Sequence, residues 1–180
     1  HAPWHGCTPT DLVFPFFLFA VGAAMAFALP PPETSARAFW PPVLRRAAII
    51  FGLGLFLNIS PFVRWSAEGE LVARSWEQLR CLGVLQRIAL CYLGAAAIVR
   101  FVGAARAAHA AAVLLVGYWL ACIALSSDPY SLQGWFGTAL DRALLGERHL
   151  YQGEGVPFDP EGLASTPPAI AQTLIGIACG

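Results

Sequence analysis

Lysine is absent from this 180-residue chain, and charge of either sign is scarce: eleven arginines face eleven carboxylates. Charged residues make up 12% of the whole, where soluble domains carry about 25%. So little charge excludes an ordinary solvated surface. A net charge of zero without a basic stretch leaves no footing for a nucleic-acid partner. The five cysteines, Cys7, Cys81, Cys91, Cys122 and Cys179, form neither a CxxC pair nor a metal-ligand spacing, so no metal is expected. Most stand in or beside apolar runs, where cysteine packs as a small hydrophobe.

What is present is apolar. Hydrophobic residues reach 57% and the mean hydropathy is +0.61, which describes a membrane protein. A spanning helix needs about 20 largely apolar residues. Four runs meet that length, at about 11–29, 43–60, 81–102 and 107–126, and a fifth begins near 168 and meets the end of the chain at Gly180. The expectation is an all-α fold, a polytopic transmembrane helix bundle with four complete spans and part of a fifth, forming a single domain over 1–180. Without an initiator methionine at His1, and with an apolar run still short of a span at Gly180, the sequence reads as a piece of a longer membrane protein.

The connections alternate. Residues 30–42 and 103–106 are short, whereas 60–80 and 127–167 are longer and acidic, and the longer pair carries Trp65, Trp76, Trp135 and Tyr151. The 127–167 connection is expected to be ordered, with short helices. Arginines divide evenly between the two sides. Those nearest helix ends in short loops (Arg37, Arg45, Arg46, Arg100, Arg106) carry most weight in the positive-inside rule and place the short connections in the cytoplasm.

Several polar groups then stand out against the apolar runs. Thr8-Pro9-Thr10-Asp11 has the pattern of a capped helix start, with Thr8 at the cap, proline at the first position and a carboxylate three residues on. Asp11 is thus expected to cap, and it also faces the positive end of the helix dipole. His1 and Trp4 lie outside this cap at the membrane lip; an imidazole that titrates near neutrality there suits acid–base or acyl-transfer work. Gln86 and Arg87 adjoin inside the third span. An arginine at mid-membrane costs at least about 2.5–3.5 kcal/mol, so it either snorkels or faces an interior pocket, and Gln86 beside it favours the pocket. Asn58 is a further polar group, near the end of the second span. Asp159-Pro160-Glu161 reads as a short capped helix and Ser165-Thr166-Pro167 as a second helix start; the same carboxylates would also make an acidic rim suited to a cationic amine.

Four blocks together carry a resemblance. His1-Ala2-Pro3-Trp4 with Gly6, Thr8 and Asp11-Leu12-Val13-Phe14-Pro15 comes first. Gly83-Val84-Leu85-Gln86-Arg87 follows, then Asp141-Arg142 … Leu144-Leu145-Gly146 … His149-Leu150-Tyr151, and finally Asp159-Pro160-Glu161-Gly162. In this order the sequence resembles the heparan-α-glucosaminide N-acetyltransferase family. The resemblance implies a membrane acetyltransferase that moves acetyl from cytosolic acetyl-CoA, its co-substrate, to the amine of a terminal glucosamine across the membrane. It implies His1 as the active-site histidine and Asp11 as its supporting aspartate. Trp4, Asn58, Gln86, Arg87, Asp159 and Glu161 are then the candidate substrate-binding residues.

The resemblance further implies a bacterial inner-membrane relative with His1 on the non-cytoplasmic face. Expected partners are an amino-sugar substrate, membrane lipid and, as an option, a second copy in a homodimer. His5 departs from the family, whose members often have asparagine there. The family's first spanning helix and its C-terminal half are expected to be absent, which would leave this piece inactive alone, with part of the CoA site missing. Two other classes remain open on the residues: an amino-sugar or oligosaccharide permease, and a non-catalytic membrane scaffold.

Overall fold

The computed structural model describes residues 7–31, 33–65, 69–73, 79–151 and 157–180. A short 3-10 turn, Pro9–Leu12, leads into α1 (Val13–Ala28); α2 (Ala36–Ile59), α3 (Val84–Val102) and α4 (Ala107–Leu125) follow. These four units are long and apolar enough to cross a membrane. Their outward side chains are those a bilayer accepts: Phe16, Phe17 and Phe27 on α1, Leu53 and Leu57 on α2, Val113, Trp119 and Ile123 on α4 are exposed. Contiguous apolar surface of this extent marks a membrane-facing protein. The chain is an integral membrane protein with an all-α transmembrane bundle, as its composition indicated.

The helix that organises the bundle is α6 (Thr166–Cys179), which packs against α1, α3 and α4. Ala171, Thr173 and Leu174 on it are fully enclosed. Small residues set its distance from α1. A Cβ added at Gly22 would stand 2.0 Å from the Thr173 carbonyl oxygen, and one at Gly176 would stand 2.1 Å from that of Phe19. The two backbones are therefore in direct contact, the use to which membrane helices put glycine. Around this seam Met25, Phe39, Val43, Tyr92, Ala95 and Leu174 share one core cluster.

Helix α2 begins earlier than the hydropathy reading placed it. The expected span starts at Val43, but the helix starts at Ala36 and contains Pro41 and Pro42. Its first turns carry Phe39 and Val43 into the core, and Arg46 Nη1 donates to the Ala28 carbonyl at the end of α1, 3.1 Å away. A second addition is a two-stranded antiparallel hairpin, β1 (Val63–Trp65) with β2 (Leu71–Ala73), pairing Arg64 with Val72 in the α2–α3 connection. The 127–167 connection carries α5 (Phe136–Leu145) and a 3-10 turn at Glu147–His149.

Four alternating spans return the chain to its starting side. Asp11, the C-terminus of α2, the N-terminus of α3, α5 and the segment 157–165 thus lie at one end of the bundle, and α1 and α6 run parallel.

Candidate functional site

Polar residues from distant parts of the chain converge at that end. The segment leading into α3 is extended, with Gly83 as the helix cap. This places Arg80 just outside the membrane and Gln86 and Arg87 in the first turn of α3, where both face inward: Gln86 is 1% and Arg87 6% exposed. Snorkelling is therefore excluded for Arg87. Gln86 lies flat over α2, and a Cβ on Gly54 would meet its Oε1 at 2.5 Å. Asn58, one turn further along α2, donates from Nδ2 to the Arg80 carbonyl at 2.8 Å. The residue type at position 54 thus decides whether Gln86 can reach the interior.

Arg80 is the electrostatic hub. Its Nε donates to Asp159 Oδ2 at 2.9 Å and its Nη2 to Asp159 Oδ1 at 2.5 Å, a two-pronged pair, and Nη2 also reaches Glu161. The guanidinium stands 5.1 Å from the centre of the Tyr151 ring. Burial alone would depress the Arg80 pKa; the hydrogen bonds and charges of Asp159 and Glu161 outweigh it and leave the value raised. Asp159 is 1% exposed and turns the chain as well, since its Oδ1 accepts the Glu161 amide at 3.0 Å and its carbonyl accepts that of Gly162. The sequence suggested a short capped helix here. The structure has a carboxylate-stabilised turn instead, because Asp159 satisfies the local amides without a helical hydrogen bond.

Arg87 donates from Nη2 to the Gly162 carbonyl at 2.9 Å and to the Ser165 hydroxyl. Gly162 is clasped from its other side by Asp141 of α5. Asp141 Oδ1 accepts the Ala164 amide at 3.0 Å, and a Cβ on Gly162 would sit 1.8 Å from Oδ2. Asp141 is 2% exposed, and burial pushes its pKa up, against the pull of the amides of Ala164 and Leu163. Among the described residues, Gln86 Nε2, Arg87 Nε and Asp141 Oδ2 are buried without a hydrogen-bond partner. Arg87 Nε and Asp141 Oδ2 belong to the side chains that hold the Gly162–Ser165 segment, and Gln86 Nε2 lies on the α2 side; a ligand group that met any of them would offset the cost of about 1–3 kcal/mol of an unpaired buried donor or acceptor.

Of the residues singled out in the sequence, Asn58, Gln86, Arg87, Asp159 and Glu161 are brought together. Asp11 lies at the same end and caps as expected, its Oδ2 accepting the Thr8 amide at 2.9 Å and the Thr8 hydroxyl at 2.7 Å. His1 and Trp4 lie outside the described residues. Arg80 and Ser165 were missed as members of the site, and Asp141, though part of the third block, was not singled out as a binding residue. The one available signal was that Arg80 precedes the Gln86-Arg87 pair by less than two turns; its partners are 79 and 81 residues away. Among the described residues no group of three or more His, Cys, Asp or Glu could hold a metal ion.

No family model matches the chain. Over its whole length it is similar to two curated proteins, both heparan-alpha-glucosaminide N-acetyltransferases. It is 25% identical to the Homo sapiens protein and 24% to that of Mus musculus, each over 229 aligned positions. The chain spans about a third of their length, 34% in each case. A membrane bundle whose polar end brings together the second, third and fourth of the sequence's blocks is thus distantly related to heparan-alpha-glucosaminide N-acetyltransferase.

Proposed function

We propose that this chain is part of a membrane acetyltransferase that transfers acetyl from cytosolic acetyl-CoA to the amine of a glucosamine-type sugar on the opposite side. The supporting observation is the polar end itself: two buried or half-buried guanidinium groups, three carboxyls and three unpartnered polar atoms gathered at one membrane face. In this reading Asp159 and Glu161, braced by Arg80, face the amine of the acceptor. Arg87, Gln86 and Asn58 bind its hydroxyl groups and the developing oxyanion, with Trp4 against the ring.

The chemistry asks little of the protein. The amine nitrogen attacks the thioester carbonyl, a C–N bond forms, the C–S bond breaks, and the thiolate of CoA leaves and takes up a proton. His1, supported by Asp11, either removes the ammonium proton or carries the acetyl group between the two substrates; both roles use an imidazole near neutral pH. Donors aimed at the oxyanion supply the main electrostatic stabilisation. The short connections, whose flanking arginines stand closest to helix ends, would face the cytoplasm of a bacterium and the polar end its exterior.

The test is CoA release by the complete protein in vesicles with acetyl-CoA inside and glucosamine outside. Release that requires both substrates supports the reading. Sugar flux without CoA release would instead identify a permease, a reading that the unpartnered Gln86 and Arg87 atoms also suit. Neither activity would leave a scaffold.

A further inference from the structure

Two clefts flank the polar end and are explained by neither the bundle packing nor the ion pairs. One, of about 360 Å³, is walled by Tyr118, Trp135, Phe158 and Pro160 and reaches the Ser165 hydroxyl. That hydroxyl accepts from Arg87, which is 6% exposed and has an unpartnered Nε among the described residues. The other, also about 360 Å³, is almost wholly apolar and lies between α4, α5 and the start of α6, against Val113, Leu114, Gly117, Leu140 and Leu163. The clefts share Tyr118 as a wall and touch neighbouring residues elsewhere, Trp135 beside Phe136 and Ser165 beside Ala164. Adjoining at Tyr118, the two clefts mark out one candidate path along α4. Val113 lies about 18 Å along α4 from its end at Leu125, at 1.5 Å per residue.

We propose that this path binds a lipid-linked amino sugar, its pyranose ring in the aromatic cleft over Ser165 and its hydrocarbon chain in the apolar cleft along α4. The inference deepens the acetyltransferase reading and rests on it for the identity of the head group. Aromatic walls with the Ser165 hydroxyl at one side suit the apolar face and scattered hydroxyls of a pyranose. A phosphate head would need an open guanidinium face, but Arg87 and Arg80 each commit Nη2 to protein acceptors. A protein helix, about 10–12 Å across, would lie over a cleft of this volume rather than within it. A hydrocarbon chain leaving the bilayer exchanges one apolar surrounding for another, so the cleft selects by packing and confinement, not by transfer from water.

The probe is dodecyl β-glucosaminide with a photoreactive diazirine at the tail terminus, presented to the complete protein in lipid nanodiscs without acetyl-CoA. Labelling is expected on α4 between Val113 and Ala121 or on Leu140, and excess octyl β-glucosaminide should remove it. A Cβ at Gly117 meets nothing within 4 Å, so Gly117→Leu fills the cleft without a backbone clash and should reduce labelling at least fivefold. Leu140→Trp, entering from the opposite wall, should do the same. Gly52→Leu, which points into open space on α2, should leave labelling unchanged. Labelling elsewhere, labelling at the parental level in the cleft-filling variants, or competition by phosphatidylglycerol as strong as by the glucosaminide would overturn the proposal. Labelling needs no catalysis, so failure of acetyl transfer to both soluble glucosamine and dodecyl β-glucosaminide refutes the acetyltransferase reading separately.

Discussion

Replacing Gly22 by alanine tests the seam on which the bundle is built. The added methyl would stand 2.0 Å from the Thr173 carbonyl oxygen and 3.0 Å from Gly176 Cα, whereas ordinary contact begins near 3.4 Å. Both obstacles are backbone, so no side chain can swing aside, and α1 and α6 must separate by about 1.4 Å at that point. A gap of 0.5–1 Å already forfeits a quarter to a half of the dispersion energy of the contacts concerned. Overpacking typically costs about 1–3 kcal/mol. Alanine returns up to about 1 kcal/mol through its better helix propensity. The net expectation is a loss of about 1–2 kcal/mol, and more for Gly22→Leu. Reversible unfolding in mixed detergent micelles measures it. Gly176→Ala opens the same seam, so the double variant should lose less than the sum of the two. At Gly52, where a methyl meets nothing, the propensity gain should appear alone as a small stabilisation. If Gly22→Ala is as stable as the parent while Gly52→Ala gains, the backbones do not touch and the central place of α6 is wrong.

Further outcomes follow from the polar end. Arg80→Gln strips a fully buried Asp159 of its two-pronged partner and should cost about 3 kcal/mol, the low end for a broken buried pair because Arg80 is partly exposed; Arg80→Gln/Asp159→Asn should recover part of it in the same unfolding assay. Arg87→Leu removes the charged donor to the Gly162 carbonyl and the Ser165 hydroxyl, while Ser165 and Thr166 still donate to that carbonyl; it should cost about 1–3 kcal/mol and abolish transfer, and parental abundance and turnover in that variant would contradict the inward role. Asp141 has a pKa raised by burial, so its neutral form is favoured on folding: its contribution is full below about pH 4 and declines as pH rises through the raised value. Asp141→Asn should flatten that part of the melting-temperature profile, and an unchanged profile would refute the assignment.

The parts of this structure legible in the sequence are those governed by the solvent. The apolar runs had to become membrane helices, since backbone polar groups in a bilayer must be paired within the segment. Arg87 had to face inward once Gln86 stood beside it. The Thr8–Asp11 cap is a local pattern and could be read locally. What escaped depends on pairing across long stretches of chain. Nothing near Arg80 announces Asp159, and nothing near Asp141 announces that Gly162 must lack a side chain for the two to meet. The turn at Asp159–Gly162 was misread because the residues that cap helices also stabilise turns, and only the neighbouring Arg80 decides between them. The early start of α2 was hidden by Pro41 and Pro42, which read as a helix break although both lie inside the helix, as membrane helices tolerate.

The most direct test of the whole account is acetyl transfer by the complete protein carrying His1→Ala. The role assigned to His1 is chemical, so the account predicts parental amounts of folded protein with no acetyl-CoA-dependent acetylation of glucosamine. Normal turnover in that variant would contradict it and would make His5 the next residue to replace.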